Sequence, residues 1–114
     1  MQALIQTQLK QVAGVLLIGI ATGPTEALRI IDQDDAVDLV IADLFLDKGN
    51  AMEILEQLQH RQIRPTTIVI TNAPSAELRE RCLSYGASGF FDKAEGFDWL
   101  PEEIEALRRR MAPQ

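Results

Sequence analysis

Three side chains of different chemistry follow three separate apolar stretches of the sequence: a carboxylate, a hydroxyl and an amine. Asp43 interrupts the apolar run 37–46, Thr71 closes the run 67–71, and Lys93 comes directly after residues 89–92. A carboxylate in a crevice can attack a phosphoryl group, a cation can balance the charge of the phosphoryl oxygens, and a hydroxyl can hydrogen-bond one of them. These are the residue types that an acyl-phosphate mechanism requires.

Each of the three residues has a simpler explanation when it is considered alone. An acid at a strand end can cap a polar rim, and a lysine after a short strand is usually solvated. Asp43 is the most informative of the three, because an acid that is merely packed within an apolar run would be costly. The occurrence of all three side chains at the ends of apolar runs is what favours a shared site.

Short apolar runs alternate with helical patterns along the chain, and these elements would position the three side chains. Strands without polar alternation, separated by helices, predict an α/β fold with an open parallel sheet and helices on both faces. In such sheets ligands bind beyond the carboxyl ends of the strands, where Asp43, Thr71 and Lys93 would lie. The four predicted strands are residues 15–21, 37–46, 67–71 and 89–92, and residues 47–50 are predicted as a loop.

Composition limits the remaining possibilities. The 114 residues predict one domain, 1–114, and the net charge of -6 argues against direct binding of nucleic acid. No apolar run is long enough to span a membrane and no signal peptide is visible, so we expect a cytoplasmic protein. Cys82 is the single cysteine, which excludes an internal disulfide, and we expect it to be a small core residue.

Four blocks of the sequence, in order and over nearly the whole chain, resemble the receiver domains of two-component response regulators. One block alone would be weak evidence, but the spacings between the four also fit that family. Residues 17–21 with 26–28 match the family's second strand and helix, and residues 38–44 match its phospho-acceptor strand. Residues 67–73 match the strand that ends in the switch threonine. Residues 86–93 match the segment that contains the switch aromatic and, three residues later, a lysine.

The resemblance implies a flavodoxin-like receiver, a phosphorelay signalling module that is not an enzyme. It implies that Asp43 accepts a phosphoryl group from a histidine kinase or phosphotransfer protein, and that Lys93 pairs with that group. Thr71 and Phe90 would relay the change to an output partner protein, through the helix and strand that follow Thr71. The backbone carbonyl of Phe45 would be a ligand of Mg²⁺ beside Asp43.

The sequence departs from the family's pattern around this metal. Family members begin with a strand that ends in an acidic pair, whereas residues 1–11 here align with the following helix and the first acidic residue is Glu26. Asp43 alone would hold Mg²⁺ poorly, because Mg²⁺ is bound through carboxylates and other oxygen ligands. In the loop, Asp47 occupies the usual proline position and adds negative charge, and Ala51 stands where glycine is common.

The missing first strand also has a structural consequence. That strand is central in the flavodoxin-like order, so its absence would leave two neighbouring strands with unpaired ladders. We expect upstream residues in the natural protein, or an alternative start of the gene. For the polypeptide as given, we expect a homodimer formed through the exposed strand edges.

Two other functional classes remain open from the sequence. A pseudo-receiver that is never phosphorylated would use the same fold as a protein-interaction module. A flavodoxin-like protein that binds flavin would use residues 21–26 as a phosphate loop, although Pro24 lacks one N–H group that such a loop would use.

Overall fold

The computed structural model describes residues 21, 23–33, 37–46, 49–61 and 64–111. The chain divides into two compact units, one of residues 19–95 and one that contains residues 96–114. The larger unit contains α1 (Pro24–Gln33), β1 (Leu39–Asp43), β2 (Phe45–Leu46), β3 (Gly49–Asn50), α2 (Ala51–Leu58), β4 (Thr66–Thr71), α3 (Ala76–Ser84), β5 (Gly89–Asp92) and a 3-10 turn (Lys93–Glu95). The second unit contains α4 (Leu100–Met111).

Three of the predicted strands form one parallel sheet in the order β1-β4-β5. In its register Asp43 lies opposite Ile70, and Thr71 lies opposite Asp92. The predicted parallel α/β architecture is therefore confirmed. Residues 15–20 of the predicted strand 15–21, and the helix before it, lie outside the described residues. Ala21, the last residue of that predicted strand, is described and does not belong to a strand.

The sequence prediction was wrong in one local detail after β1. The run 37–46 was predicted as one strand and residues 47–50 as a loop, but the strand ends at Asp43 and a bend follows at Leu44. The next two residues form β2, which pairs antiparallel with β3. The physical reason lies in the backbone pairing of Leu44. Its N–H still donates to Ile70 O of β4, but its carbonyl accepts from Ala51 N at the start of α2, so the chain leaves β4 after this residue.

Strand β4 is buried along nearly its whole length, which explains its unbroken apolar character. On one face Ala42, Val69 and Phe90 lie side by side in the register of the three strands. They belong to one hydrophobic cluster with residues of α1, α2 and α3, including Ile31, Leu55 and Cys82. On the other face of β4, Ile68 and Ile70 are also buried.

Two helices of the larger unit begin at side-chain caps. Asn50 is the N-cap of α2, where its Oδ1 accepts a hydrogen bond from Met52 N at 2.9 Å and Glu53 reciprocates by accepting from Asn50 N. Ser75 caps α3, where its Oγ accepts from Leu78 N at 3.1 Å. Such caps satisfy backbone donors that would otherwise lack partners at a helix start. The cap at Asn50 therefore starts α2 directly after β3.

The second unit shows how charge is arranged along α4. Glu102 and Glu103 occupy its first turn and arginines its last turn, the arrangement that the helix dipole favours. Arg108 also forms an ion pair with Glu105 at 2.6 Å. No described helix is long and apolar enough to cross a membrane.

The sulfur of Cys82 is inaccessible in the folded protein, as the sequence predicted. Cys82 is fully buried in the hydrophobic cluster, and its Sγ lies 3.6 Å from Met52 Sδ. Burial raises the pKa of the Cys82 thiol, and the charge of Arg81 lowers it by a smaller amount. A raised pKa leaves less of the reactive thiolate at any pH below it.

We therefore expect Cys82 to react very slowly with Ellman's reagent at pH 8 in the native protein and rapidly after unfolding in guanidinium chloride. The absorbance of the released thiolate measures both rates. Reaction of the native protein at the unfolded rate would contradict the buried position of the thiol.

Candidate functional site

The candidate site is built around a contact between Asp43 and Lys93. Asp43 is the last residue of β1 and Lys93 follows β5, so the two come from the strands on either side of β4. Lys93 Nζ lies 2.5 Å from Asp43 Oδ2. The structure thus brings together two of the side chains that the sequence predicted to share a site.

The two partners differ in their access to water. The Lys93 side chain is 8% exposed, whereas that of Asp43 is 28% exposed. A nearly buried ammonium requires a compensating charge, and a hydrogen bond between charged groups is stronger than a neutral one. The pair therefore presents a carboxylate at the surface with its cation held beneath it.

The second oxygen of Asp43 is held by the backbone. Phe45 N donates a hydrogen bond to Asp43 Oδ1 at 3.2 Å. Leu44 N donates to Ile70 O at 2.8 Å, which continues the pairing of β1 with β4 past the end of the strand. Both carboxylate oxygens thus have fixed donors, while the ring of Phe45 itself is exposed.

Thr71 lies at the same end of the sheet but makes a different contact. It is one residue beyond Ile70, which is the register partner of Asp43, and its side chain is fully buried. Its Oγ1 accepts a hydrogen bond from Ala73 N at 3.1 Å. In the part of the chain that is described, Asp43 and Lys93 are joined directly, whereas the Thr71 oxygen is bonded to its own loop.

Phe90, the predicted switch aromatic, faces the core, where its side chain is buried in the hydrophobic cluster. Its backbone carbonyl accepts a hydrogen bond from Arg79 Nη1 at 3.2 Å. Arg79 belongs to α3, the helix that follows Thr71, so this bond ties α3 to β5. The sequence reasoning did not identify Arg79, because a bond to a backbone carbonyl leaves no pattern in the sequence.

The segment that follows Asp43 is closed by its own contacts. Ala51 N donates to Leu44 O at 3.1 Å, which joins the two ends of the β2–β3 hairpin. Gly49 has a φ of +143°, and a Cβ atom at this position would lie 2.9 Å from the ring of Pro24. Glycine is therefore required where the hairpin approaches α1. Asp47, the predicted source of additional negative charge, lies outside the described residues.

Asp92 is a further polar residue at the carboxyl end of the sheet, and the sequence did not lead us to predict a role for it. It is the last residue of β5, and its Oδ1 accepts a hydrogen bond from Ala94 N at 2.8 Å. An aspartate that accepts from the N–H two residues later forms a local turn. The signal was present in the sequence, because Asp92 follows an apolar run and residue 94 is not a proline.

The described residues do not make a complete magnesium site. No group of three or more acidic, histidine or cysteine side chains lies close enough to hold a metal in the part of the chain that is described. Asp43 and the carbonyl of Phe45 are the oxygen donors that the resemblance assigns, and Asp43 is already paired with Lys93. Mg²⁺ needs further oxygen ligands, from protein or water.

A family of known proteins and individual relatives match this sequence. The response regulator receiver domain family matches residues 1–105. The chain is 28% identical to the transcriptional regulatory protein MalR of Bacillus subtilis over 102 residues, which are 90% of this chain and 43% of MalR. The chain thus spans less than half the length of this relative.

Solved structures share the fold. The receiver domain of the Francisella response regulator 1452 superposes with a TM-score of 0.82 at 21% identity, covering 95% of this chain and 87% of that one. A response regulator from Burkholderia pseudomallei, solved with a phosphorylated aspartic acid, a calcium ion and citrate, superposes with a TM-score of 0.70 at 18% identity. That match covers 98% of this chain and 68% of the Burkholderia chain. The flavodoxin-like fold that the sequence predicted is confirmed.

Proposed function

We propose that this chain, which belongs to the response regulator receiver domain family, receives a phosphoryl group on Asp43 from a phosphorylated histidine of a kinase or phosphotransfer protein. The carboxylate oxygen would bond to phosphorus while the phosphorus–nitrogen bond to the donor imidazole breaks. The product is a mixed anhydride on Asp43 and a free histidine on the donor. The chain is thus an acceptor that takes up one phosphoryl group, and we do not propose a separate enzymatic activity.

The contact between Lys93 and Asp43 carries this proposal. Phosphoryl transfer depends on neutralising the charge of the transferring group, and a fixed cation contributes most where water is largely excluded. Lys93 Nζ meets this requirement because its side chain is nearly buried and lies 2.5 Å from the carboxylate. The phosphorylated aspartic acid of the Burkholderia regulator gives a precedent in a protein of the same fold.

Thr71 and Phe90 are proposed to pass the signal on. The Thr71 hydroxyl lies at the carboxyl end of the sheet and can donate its proton to a phosphoryl oxygen. Thr71 precedes α3 in the chain, and Arg79 of α3 donates a hydrogen bond to the carbonyl of Phe90 in β5. A movement of Thr71 would therefore change the positions of α3 and β5. We propose that an output partner reads this surface.

Output is proposed to reach transcription through that partner. MalR is a transcriptional regulatory protein, and the charge of -6 does not suit direct contact with DNA. A cytoplasmic location and a homodimer paired through strand edges also remain predictions.

Receivers of this family typically use Mg²⁺. Asp43 and the carbonyl of Phe45 would contribute to its binding here. The metal would offset charge on the transferring group, but the described residues supply only part of the ligand set.

Intact mass after incubation with acetyl phosphate and Mg²⁺ tests the acceptor role. We expect the mass of the protein to increase by one phosphoryl group, and we expect Asp43→Asn to abolish the increase because an amide oxygen is a poor nucleophile. Asp38→Asn is the matched control, since Asp38 is an exposed acid just before β1, and it should behave as the unmodified chain does.

An adduct that persists in Asp43→Asn would move the acceptor to another residue. Absence of any adduct in the unmodified chain would favour the pseudo-receiver alternative. Nothing in the described fold or in the comparisons favours that alternative or the flavin-binding one.

A further inference from the structure

The position of Lys93 depends on how the chain leaves β5. Lys93 is the first residue of the 3-10 turn that begins directly after the strand. Its long side chain must reach back from β5 to the end of β1, with β4 between them. A small change in the backbone at residue 93 would therefore move the ammonium group away from Asp43.

The exit from β5 is fixed by Asp92. Its backbone belongs to the strand, where Asp92 lies opposite Thr71. Its Oδ1 accepts from Ala94 N at 2.8 Å, on the far side of Lys93. The carboxylate therefore bridges the residues before and after Lys93 and holds the backbone of the turn closed.

The hydrogen bond from Ala94 N also occupies one of the two carboxylate oxygens of Asp92, the residue next to Lys93 in the sequence. Asp92 could in principle compete with Asp43 for the ammonium group. In the structure the ammonium pairs with Asp43, while Asp92 Oδ1 is used by the backbone. The two acids thus have different functions: Asp43 binds the cation and Asp92 shapes the turn that carries it.

We propose that Asp92 is a positioning residue, whose hydrogen bond to Ala94 N sets the turn that places Lys93 on Asp43. The proposal rests on the proposed function only where phosphorylation is the readout. The placement of Lys93 itself can be measured without phosphorylation.

Accessibility of the Lys93 amine gives that independent measurement. The sequence contains three lysines, so Lys10 and Lys48 serve as internal references for the reactivity of Lys93. Acylation by the N-hydroxysuccinimide ester of acetic acid, followed by peptide mass spectrometry, gives the relative rate at each lysine. In the unmodified chain Lys93 should react more slowly than it does after unfolding in guanidinium chloride, because its side chain is nearly buried and ion-paired.

Asp92→Ala and Asp92→Asn separate the turn from the charge. Asparagine retains the accepting oxygen, whereas alanine removes it. We expect Asp92→Ala to speed the acylation of Lys93 relative to Lys10 and Lys48. We also expect it to slow phosphorylation of Asp43 by about tenfold, because a displacement of the ammonium by a fraction of an ångström should cost less than the roughly 100-fold loss that a displacement of about 1 Å can cause. Asp92→Asn should restore both properties to those of the unmodified chain.

The outcomes decide between the possibilities. Unchanged acylation of Lys93 in Asp92→Ala overturns the proposal, and so does equal perturbation by alanine and asparagine, which would assign the effect to charge. If Asp92→Ala does not fold, Asp92→Ser provides the test, because a serine hydroxyl makes the same turn more weakly. A rate of Lys93 acylation between those of the unmodified and the unfolded chain supports the proposal. A rate equal to that of the unmodified chain opposes it. If no variant is phosphorylated but acylation still separates alanine from asparagine, the proposed function fails and the role of Asp92 stands.

Discussion

Lys93→Met should slow the phosphorylation of Asp43 by acetyl phosphate by about 10²–10³-fold, the loss seen when one fixed charge-stabilising donor is removed from a catalytic site. Methionine keeps most of the length and apolar volume of the lysine stem and removes the charge. The methionine would fill the nearly buried position of the ammonium, so we do not expect a solvent cation to replace the lost charge there. Time courses of intact mass give the rate.

Lys93→Arg is the matched control for charge alone. Arginine keeps the positive charge but carries a wide planar group, which does not fit where a compact ammonium fits. We expect a rate between those of the unmodified chain and Lys93→Met. A Lys93→Met protein that is phosphorylated at the unmodified rate would remove Lys93 from the mechanism.

The same pair should show an asymmetry in stability. Asp43→Ala leaves a nearly buried ammonium without its partner, whereas Lys93→Met leaves a carboxylate that water already reaches. We therefore expect Asp43→Ala to lower the free energy of unfolding by about 1–2 kcal/mol more than Lys93→Met does. This difference is smaller than the loss on breaking a fully buried pair, because water partly reaches Asp43. Urea unfolding measures both, and an equal loss in the two variants would argue against the observed difference in burial.

Leu55→Ala should have the largest effect on stability. Leu55 lies on α2, is 2% exposed and belongs to the cluster that joins three helices to the sheet. Its removal leaves a cavity in a packed core, and such changes lower the free energy of unfolding by about 2–5 kcal/mol. This is a large share of the roughly 5–15 kcal/mol that stabilises a typical domain.

Leu83→Ala provides the comparison with the same change at the surface. Leu83 lies on α3 and is 38% exposed, so its truncation should lower the free energy of unfolding by less than about 1 kcal/mol. Thermal unfolding followed by circular dichroism distinguishes the two variants. Similar midpoints for Leu55→Ala and Leu83→Ala would contradict the described core.

The sheet could be predicted because its strands have one physical cause that is visible in the sequence. A strand buried on both faces, such as β4, must be apolar at successive positions, and residues 67–71 show this directly. The β2–β3 hairpin could not be predicted in this way. Each of its strands has two residues, which is too short for any periodicity to appear.

The site was predictable to the level of which residue types end the strands. The sequence placed Asp43 and Lys93 at the same edge because parallel strands end together. It could not show that Thr71 would bond to Ala73, or that Asp92 would close the turn beside Lys93. Both contacts depend on the direction that the chain takes after its strand, which apolar patterning does not encode.

The bond between Arg79 and the carbonyl of Phe90 affects how the two positions can diverge in evolution. Every amino acid offers the same carbonyl, so this hydrogen bond places no constraint on the side chain at position 90, which is constrained instead by its packing in the core. Selection to preserve this hydrogen bond therefore acts on residue 79, because the donor is the arginine side chain. In a set of orthologues, loss of the arginine should consequently mark lineages in which the helix has acquired a different anchor.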